Sequence, residues 1–500
     1  MEEKLNQLKT LVAEIVDLNG AASLLAWDQQ TYMPPGGAEA RSNQLAYLGK
    51  LAQERAISPA LGKLLEELLP YADQIDPDSD EACLIKVSYK WYKKATCVPV
   101  EWVVEFTKVT TMANQTWVEA RQKSDFSIFQ PHLEKIVELR RQYATFFPNV
   151  DHPYDALLDD FEPGMKIADV KVIFDTLRPR QVEIFKAIRE KPQVDAPFLH
   201  QAFEDQKQFA FGKEVISKFG YDWQRGRQDQ SVHPFTTVGI SVNDVRFTTR
   251  ITPNFLNPSL FGTLHECGHA LYGLGHRPEL ERLGLAVGAS YATHESQSRL
   301  WENLVGRSLP FWQHFYPRLQ ELFPTQLGNV SLDAFYKGIN KVEPSLIRVE
   351  ADEATYNLHI MLRLEIELGL IEEKIEVKDL PEIWNMAMEE YLGLTPTNDA
   401  QGVLQDIHWS GGSFGYFSTY TLGNLISCQL WEKINQDIPD LPEQIRMGKF
   451  DTLLAWLVER IYQHGSKFEP QDLVQRVTGS KITPEPYLRY LKAKFGEIYG

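Results

Sequence analysis

Two histidines and a glutamate in one short segment carry the clearest chemical signal of this 500-residue sequence. In LFGTLHECGHALYG (260–273), His265 and His269 lie four positions apart, and Glu266 directly follows the first histidine. Helical residues four apart share a face, and two neutral imidazoles so placed can bind one Zn²⁺ at about 2.0–2.1 Å. Glu266 then points about 100° away around the helix. From there it can reach a water molecule beside the metal without being a ligand, as a general base must.

This chemistry requires a helix, and the flanking residues predict one. Asn257, Pro258 and Ser259 supply its start, because Pro fits the first turn and Asn or Ser can cap it. We expect the helix to stop near Gly273 and Gly275, before Pro278. Its neighbouring apolar residues predict burial: Phe261, Leu264, Ala270 and Leu271. A buried His-Glu-His set is costly unless a partner such as a metal satisfies it.

A catalytic zinc needs a third protein ligand. The metzincin pattern would place glycine at 272 and histidine at 275, where this chain has Tyr272 and Gly275. A glutamate on a later helix is the other common solution, and THESQSRLWENLVGRS (293–308) offers three candidates: Glu295, Glu302 and His294. Glu295 could also be a helix-surface carboxylate paired with Arg299 at i+4. The residues alone therefore leave Glu295 and Glu302 open.

Charge and cysteine content exclude several other classes of protein. The chain has 51 basic and 68 acidic residues and a formal net charge of −17, which argues against nucleic acid or an anionic membrane as the main partner. Its four cysteines are widely spaced and form no CxxC pair, so we expect neither a disulfide framework nor a cysteine zinc site. No apolar h-region and no run of about 18 apolar residues is visible, which predicts a cytoplasmic protein.

Helical periodicity dominates the rest of the chain and predicts a mainly α fold. Apolar residues recur at three- and four-residue steps in these segments: 5–18, 41–54, 133–147, 168–190, 201–219, 353–370 and 421–434. Only SVHPFTTVGISVNDVRFTTRIT (231–252) alternates with β-branched residues, which indicates a small antiparallel ribbon just before the metal helix. No repeat or flexible linker interrupts the sequence, so we predict a single domain over residues 1–500.

Six ordered motifs give the chain a family resemblance: HPF (233–235), DVRFT (244–248), HECGH (265–269), HESQ (294–297), IRVEAD (347–352) and GVLQDIHW (402–409). Together they resemble the carboxypeptidase Taq family, the M32 metallocarboxypeptidases. Further similar segments extend the resemblance over nearly the whole chain, among them YDALLDDFEPG (154–164) and SRLWENLVGRS (298–308).

The resemblance implies that Glu295 is the third metal ligand, and that the cofactor is Zn²⁺, with Co²⁺ also acceptable to the same N/O ligands. It implies a large helical gluzincin-type fold around a deep groove, partly covered by N-terminal helices, and a homodimer. The implied reaction is hydrolysis of the C-terminal peptide bond of peptides with broad specificity, with Glu266 as general base.

Recognition of a free C-terminal carboxylate calls for an arginine, which can hold both oxygens. By the resemblance this is Arg348 in IRVEAD, with Asp352 as the residue expected to orient it. Its alternative role is a structural salt bridge. His408 and Tyr420 are candidate donors to the substrate or the oxyanion, although both could simply pack within an aromatic cluster.

The ribbon could pair with extended substrate, which makes His233, just before it, a candidate substrate-binding residue. Asp244 and Arg246 are expected to pair with each other, and Cys267 to pack. Two rival functions stay open: another gluzincin, an internal oligopeptidase or an aminopeptidase, and a non-catalytic helical scaffold that holds a structural metal.

Overall fold

The structure is a computed structural model that describes all 500 residues and contains 21 α-helices and one small sheet. The first seven helices are α1 Glu2–Thr31, α2 Ala38–Ala56, α3 Pro59–Ala72, α4 Asp80–Cys97, α5 Val100–Lys123, α6 Phe126–Thr145 and α7 Pro153–Leu158. The next seven are α8 Ile167–Arg189, α9 Asp205–Phe219, α10 Leu256–Leu274, α11 Tyr291–Arg299, α12 Leu309–Leu322, α13 Pro324–Leu327 and α14 Leu332–Ile339. The last are α15 Tyr356–Ile371, α16 Leu380–Leu392, α17 Ser418–Asp437, α18 Leu441–Arg446, α19 Asp451–Arg460, α20 Pro470–Thr478 and α21 Glu485–Tyr499. The predicted mainly α fold is confirmed.

The sheet has three strands, β1 Gly226–Gln230, β2 Thr236–Ser241 and β3 Asp244–Thr249, in the order β1-β3-β2. β2 and β3 are antiparallel, as the alternation predicted, whereas β1 pairs with β3 in parallel. Strand β1 could not be predicted from its residues, because GRQDQ contains no β-branched or aromatic residue. Its place in the sheet comes from tertiary pairing with β3 and not from local propensity.

The metal helix α10 begins at Leu256 and ends at Leu274, within a residue or two of the prediction. The predicted cap is wrong in detail, because Phe255 precedes the helix without a side-chain cap, and the Ser259 hydroxyl accepts a hydrogen bond from the amide of Thr252. Gly275 follows the last turn, as expected. The sheet packs on α10, where a Cβ atom at Gly273 would lie 2.7 Å from Val238 Cγ1.

The chain divides into two compact units. Unit 1 consists of residues 1–96, 196–339 and 430–479 and contains the sheet with α10 and α11. Unit 2 consists of residues 97–195, 340–429 and 480–500 and contains α5, α6, α15 and α16. The single domain over 1–500 and the deep groove stay predictions.

Helix α1 is the one helix whose length and composition would allow it to cross a membrane, with an 18-residue window of mean hydropathy 1.2. A helix that packs within a globular unit passes the same test. In unit 1, Leu5 and Leu8 of α1 join a hydrophobic cluster with Leu65 and Leu68 of α3, and burying such a side chain contributes about 1.5–3 kcal/mol. Farther along, Trp27 packs on Phe235 at a ring distance of 5.2 Å.

Helix α15 is the central element of unit 2. Nearly every residue from Tyr356 to Ile371 is buried, and the sequence is apolar on all sides apart from a few polar positions. A helix of this kind belongs in a core. The polar residues His359, Arg363 and Glu367 are each fully buried, so each needs a specific partner.

Candidate metal centre and arginine cluster

Helices α10 and α11 bring together three side-chain atoms of unit 1 that could hold a metal ion. The Nε2 atoms of His265 and His269 each lie 3.5 Å from Oε2 of Glu295. Ligands held about 2.0–2.2 Å from a tetrahedral ion lie about 3.3–3.6 Å from one another, so both distances to Glu295 fit a zinc-sized ion. The three donor atoms, which form the metal triangle, all lie within 4.8 Å of one another. Two imidazoles and one carboxylate are also a donor set that suits Zn²⁺ or Co²⁺.

The approach of the two helices depends on Gly268, the fourth residue of HECGH. A Cβ atom at this position would lie 2.6 Å from the carbonyl oxygen of Gln297 and 2.7 Å from Cα of Ser298. Glycine therefore allows α11 to lie directly on α10. The Ser290 hydroxyl accepts a hydrogen bond from the amide of Thr293 and begins α11, which turns Glu295 toward the histidines.

Each histidine of the triangle has a partner on its other ring nitrogen. Nδ1 of His265 lies 2.9 Å from Oε2 of Glu302, and Nδ1 of His269 lies 2.6 Å from Nδ1 of His294. Such partners fix the tautomer and orientation of a metal-binding imidazole. Both leave Nε2 facing Glu295. Glu302 and His294, the other two candidates for the third ligand, thus contact the ligands and stand outside the triangle.

Glu302 lies on a π-helical turn, Leu300–Val305, that continues α11, a feature frequent at functional sites. Burial would raise the pKa of Glu302, but the hydrogen bond with His265 and the charge of Arg299 outweigh it and lower that pKa to about 2. Burial likewise opposes protonation of His265, yet Glu295 and Glu302 raise its pKa. The two glutamates therefore give the site around His265 a negative charge that favours binding of a cation.

The two oxygens of Glu295 have different partners. Oε1 accepts a hydrogen bond from Nε of Arg299 at 2.7 Å, which is the ion pair considered as the alternative role. Oε2 accepts one from the Ser298 hydroxyl at 3.0 Å and faces the histidines. Burial raises the pKa of Glu295, but Arg299 and His265 hold it well below its usual range. Pairing with Arg299 and facing the triangle are therefore compatible.

Glu266 lies beside the triangle but outside it. Its Oε2 accepts a hydrogen bond from the Thr236 hydroxyl at 2.6 Å, and the same hydroxyl lies 3.0 Å from the Glu266 carbonyl. Strand β2 thus holds one oxygen of this carboxylate and leaves the other without a protein donor. Thr236 was not among the predicted site residues, although it follows HPF directly.

Arg348 lies in unit 2 at the centre of a second cluster. Its Nε and Nη2 donate to Oδ1 of Asp406 at 3.0 and 2.8 Å, and its Nη1 donates to the Tyr356 hydroxyl at 2.9 Å. Asp406 belongs to the GVLQDIHW motif, but the sequence analysis assigned it no role.

The expectation that Asp352 orients Arg348 is wrong. Its Oδ1 accepts hydrogen bonds from the amides of Ala354 and Thr355, at 2.8 and 3.1 Å, just before α15. Burial raises the pKa of Asp352 to about 6. Proximity in sequence misled because the chain between Arg348 and Asp352 is not a helix whose side chains meet at i+4.

His408 and Tyr420 lie in the same cluster as Arg348. Nε2 of His408 is 3.4 Å from the Tyr420 hydroxyl, and the Arg348 guanidinium lies 5.0 Å from the Tyr420 ring centre. His408 also packs on Phe417 at 4.6 Å, as its alternative packing role predicted. Burial lowers the pKa of His408 to about 4, with Asp406 acting in the opposite direction, so the ring is neutral at pH 7.

The remaining predicted residues lie outside both clusters. His233 is exposed between β1 and β2, and its ring forms no hydrogen bond with the metal triangle. Asp244 and Arg246 pair with each other at 2.6 and 2.7 Å, as expected. Cys267 is completely buried in α10, in keeping with a packing role.

Comparison with known proteins identifies the family. The family model described as carboxypeptidase Taq (M32) metallopeptidase matches residues 7–495. The chain belongs to this family. Among similar proteins is thermostable carboxypeptidase 1 of Thermus thermophilus, which is 40% identical, with 97% of each chain covered. Carboxypeptidase 1 of Bacillus subtilis is 37% identical over 98% of this chain and 97% of its own.

Solved M32 structures share the fold. A crystal structure of an M32 carboxypeptidase from Deinococcus radiodurans has a TM-score of 0.96 and 39% identity and covers 100% of both chains. The protein is therefore an M32 metallocarboxypeptidase, a peptide hydrolase that requires a divalent metal. The residues of unit 1 offer one matching set of donors, His265, His269 and Glu295.

Proposed function

We propose that this metallocarboxypeptidase uses Zn²⁺ and removes C-terminal residues from peptides with broad specificity. The observation that carries the proposal is that Nε2 of His265 and Nε2 of His269 each lie 3.5 Å from Oε2 of Glu295, with Glu266 next to His265 in the chain. A zinc ion held there would polarise a water molecule and the scissile carbonyl. Co²⁺ is the alternative metal for the same donors.

In this proposal Glu266 is the general base. It takes the proton of the attacking water on its Oε1 atom and later delivers a proton to the leaving amine. The Thr236 hydroxyl holds Oε2, which keeps the carboxylate in one orientation while Oε1 handles the proton. No covalent acyl-enzyme is needed, because water is the nucleophile.

Arg348 is proposed to hold the terminal carboxylate of the substrate. A guanidinium carries five N–H donors, and the contacts with Asp406 and Tyr356 use three of them. Two donors are left for a bidentate pair with a carboxylate. His408 and Tyr420 are proposed to donate to the substrate beside it, and His233 to contact the substrate chain near the sheet.

Mass spectrometry of one short peptide, as the free acid and as the C-terminal amide, tests the proposal. Each form is incubated with the protein with and without a chelator, and zinc or cobalt is then added back. We expect stepwise loss of C-terminal residues from the free acid alone, abolished by the chelator and restored by zinc. Internal cuts, or equal cleavage of the amide, would favour an oligopeptidase or aminopeptidase. Bound metal without any turnover would favour the scaffold.

We also propose a cytoplasmic homodimer. All four cysteines are free, which suits a reducing compartment. The dimer rests on the family resemblance. Light scattering of the purified protein and fractionation of cells test the two statements: a monomer would contradict the first, and recovery outside the cytoplasm the second.

A further inference from the structure

Arg363 lies beside the arginine cluster and contacts the same aspartate as Arg348. Its Nε donates to Oδ2 of Asp406 at 2.7 Å, whereas Arg348 contacts only Oδ1. The side chain is completely buried, and its Nη1 donates to the carbonyl oxygen of His359 at 2.6 Å. It was absent from every motif of the sequence analysis, because nothing in the sequence around it marks a site.

The cluster carries a surplus positive charge. Two guanidinium groups, Arg348 and Arg363, face a single carboxylate, Asp406. The two imidazoles nearby do not add to the charge, because burial lowers the pKa of His359 to about 3 and that of His408 to about 4. A buried charge without a full counter-charge is costly and requires a compensating partner.

We propose that Arg363 is a positioning residue for the terminal carboxylate of the substrate. By occupying Oδ2 of Asp406, it prevents this aspartate from pairing with Arg348 through both oxygens. Arg348 thus keeps two N–H donors and part of its charge for an incoming anion. The proposal rests on the proposed function, in which Arg348 holds the substrate carboxylate.

Competition for one carboxylate is the physical basis of this role. An arginine and an aspartate without other partners form a bidentate pair that satisfies both ions. Such a pair would neutralise Arg348 and would lower its attraction for a substrate. Arg363 cannot turn away to solvent, because its guanidinium packs 4.5 Å from the ring centre of Trp384 and 5.4 Å from that of Phe417. The surplus charge is therefore a permanent property of the cluster.

A charge-balance series of variants tests the proposal. R363M removes one positive charge, and R363M/D406N removes the aspartate as well and restores a net charge of one. We expect R363M to raise KM for a free-acid peptide about tenfold or more, with kcat changed less than about threefold. The double variant is expected to recover most of that loss in KM. If Arg363 were only structural, the second substitution would add to the damage.

The conservative variant R363K controls for packing. It keeps the positive charge, so we expect its KM to stay within about threefold of the wild type. Should R363M not fold, R363Q takes its place in the comparison with R363K. A KM for R363M or R363Q equal to that of the wild type would overturn the proposal.

Cleavage of free-acid and amidated peptides by the wild-type protein tests the proposed function separately from the role of Arg363. Equal cleavage of free-acid and amidated peptides by the wild type would overturn the role of Arg348 before any variant is made. Discrimination by the wild type together with an unchanged KM in R363M would leave that role intact and overturn only the role of Arg363.

Discussion

The metal centre of unit 1 and the arginine cluster of unit 2 each contain a buried carboxylate with one oxygen bound by an arginine, but their surplus charges have opposite signs. In the metal centre, Arg299 holds Oε1 of Glu295 and leaves Oε2 to face the histidines. In the arginine cluster, Arg363 holds Oδ2 of Asp406 and leaves Oδ1 to Arg348. In both, an arginine divides the two oxygens of a buried carboxylate, so that neutralisation within the protein stays incomplete.

The difference lies in which charge is left over. Around the metal triangle there are three carboxylates, Glu266, Glu295 and Glu302. Only two guanidinium groups, those of Arg299 and Arg307, balance their charge. The arginine cluster has two guanidinium groups and one carboxylate. The surplus negative charge of the first would attract a cation, and the surplus positive charge of the second would attract an anion. A metallocarboxypeptidase needs both: its metal is a cation, and the free C-terminal carboxylate of its peptide substrate is an anion.

Glu266→Gln is expected to produce the largest effect on activity. The amide keeps the shape of the side chain but cannot take a proton, so kcat should fall about 10²–10⁴-fold. Metal content, measured by elemental analysis, should stay at the wild-type level because Glu266 is not a ligand. Glu295→Gln is the matched control, since the same change at a ligand should lower metal content. Full activity in Glu266→Gln would favour another base.

Glu302→Gln is expected to weaken metal binding about 10–100-fold, the range typical of residues that orient a metal ligand. It removes the negative partner of His265 but keeps a hydrogen-bond acceptor. His294→Ala removes the partner of His269. Competition with a chromophoric chelator measures both affinities. If the surplus negative charge contributes more to metal affinity than the orientation of the histidines, Glu302→Gln will lower the affinity more than His294→Ala. A larger loss of affinity in His294→Ala would show that orientation contributes more.

Glu367 extends the comparison to a buried carboxylate without a cation partner. It accepts hydrogen bonds from the Trp409 indole at 2.8 Å, the Tyr154 hydroxyl at 2.6 Å and the Gly415 amide at 2.9 Å. Burial raises the pKa of Glu367 to about 7, against these hydrogen bonds. Arg363 and Arg348 hold the pKa of Asp406 low despite the same burial. The two carboxylates differ because Asp406 forms ion pairs with two arginines, whereas Glu367 forms none and is affected only by the charge of Arg140.

The raised pKa of Glu367 predicts a pH effect of known sign. The folded state holds this proton more tightly than the unfolded state, so its contribution to stability is complete below about pH 4.3 and is lost as the pH rises through 7. Between pH 5 and 8 the wild type should lose on the order of 1–2 kcal/mol more than Glu367→Gln, which does not titrate. Urea unfolding at several pH values measures the difference. If the free energy of unfolding changed with pH in the same way in both proteins, the raised pKa of Glu367 would be contradicted.

The sequence predicted what depends on local features. The bounds of α10 follow from its apolar face and from glycine at its end, and the pairing of Asp244 with Arg246 follows from their places two apart on one strand. Helical periodicity likewise located seven other helices, among them α8, which begins and ends within one residue of the predicted 168–190. It did not locate α4 and α5, and α1 extends to Thr31, well beyond the predicted 5–18.

What the sequence left open depends on contacts between distant elements. Glu295 and Glu302 were equivalent on the residues alone, because the close approach of α11 at Gly268 and the π-helical turn after it are tertiary features. Asp406 lies 58 residues from Arg348 and 43 from Arg363, so no local spacing connects them. The nearer Asp352 was the natural choice, but its carboxylate accepts hydrogen bonds from backbone amides in the turn before α15.

Thr236→Val is expected to give the smallest effect and tests how finely the general base is held. The substitution removes one hydrogen bond to Oε2 of Glu266 and keeps the shape of the side chain. A hydrogen bond of about 0.5–1.5 kcal/mol corresponds to a fall in kcat of about 2–13-fold. Thr236→Ser, which restores the hydroxyl, should recover the rate, while KM and metal content should not change in either variant. An equal loss in both would assign the effect to packing of β2 on α10 and not to the hydrogen bond, because serine keeps the hydroxyl and lacks only the methyl group of threonine.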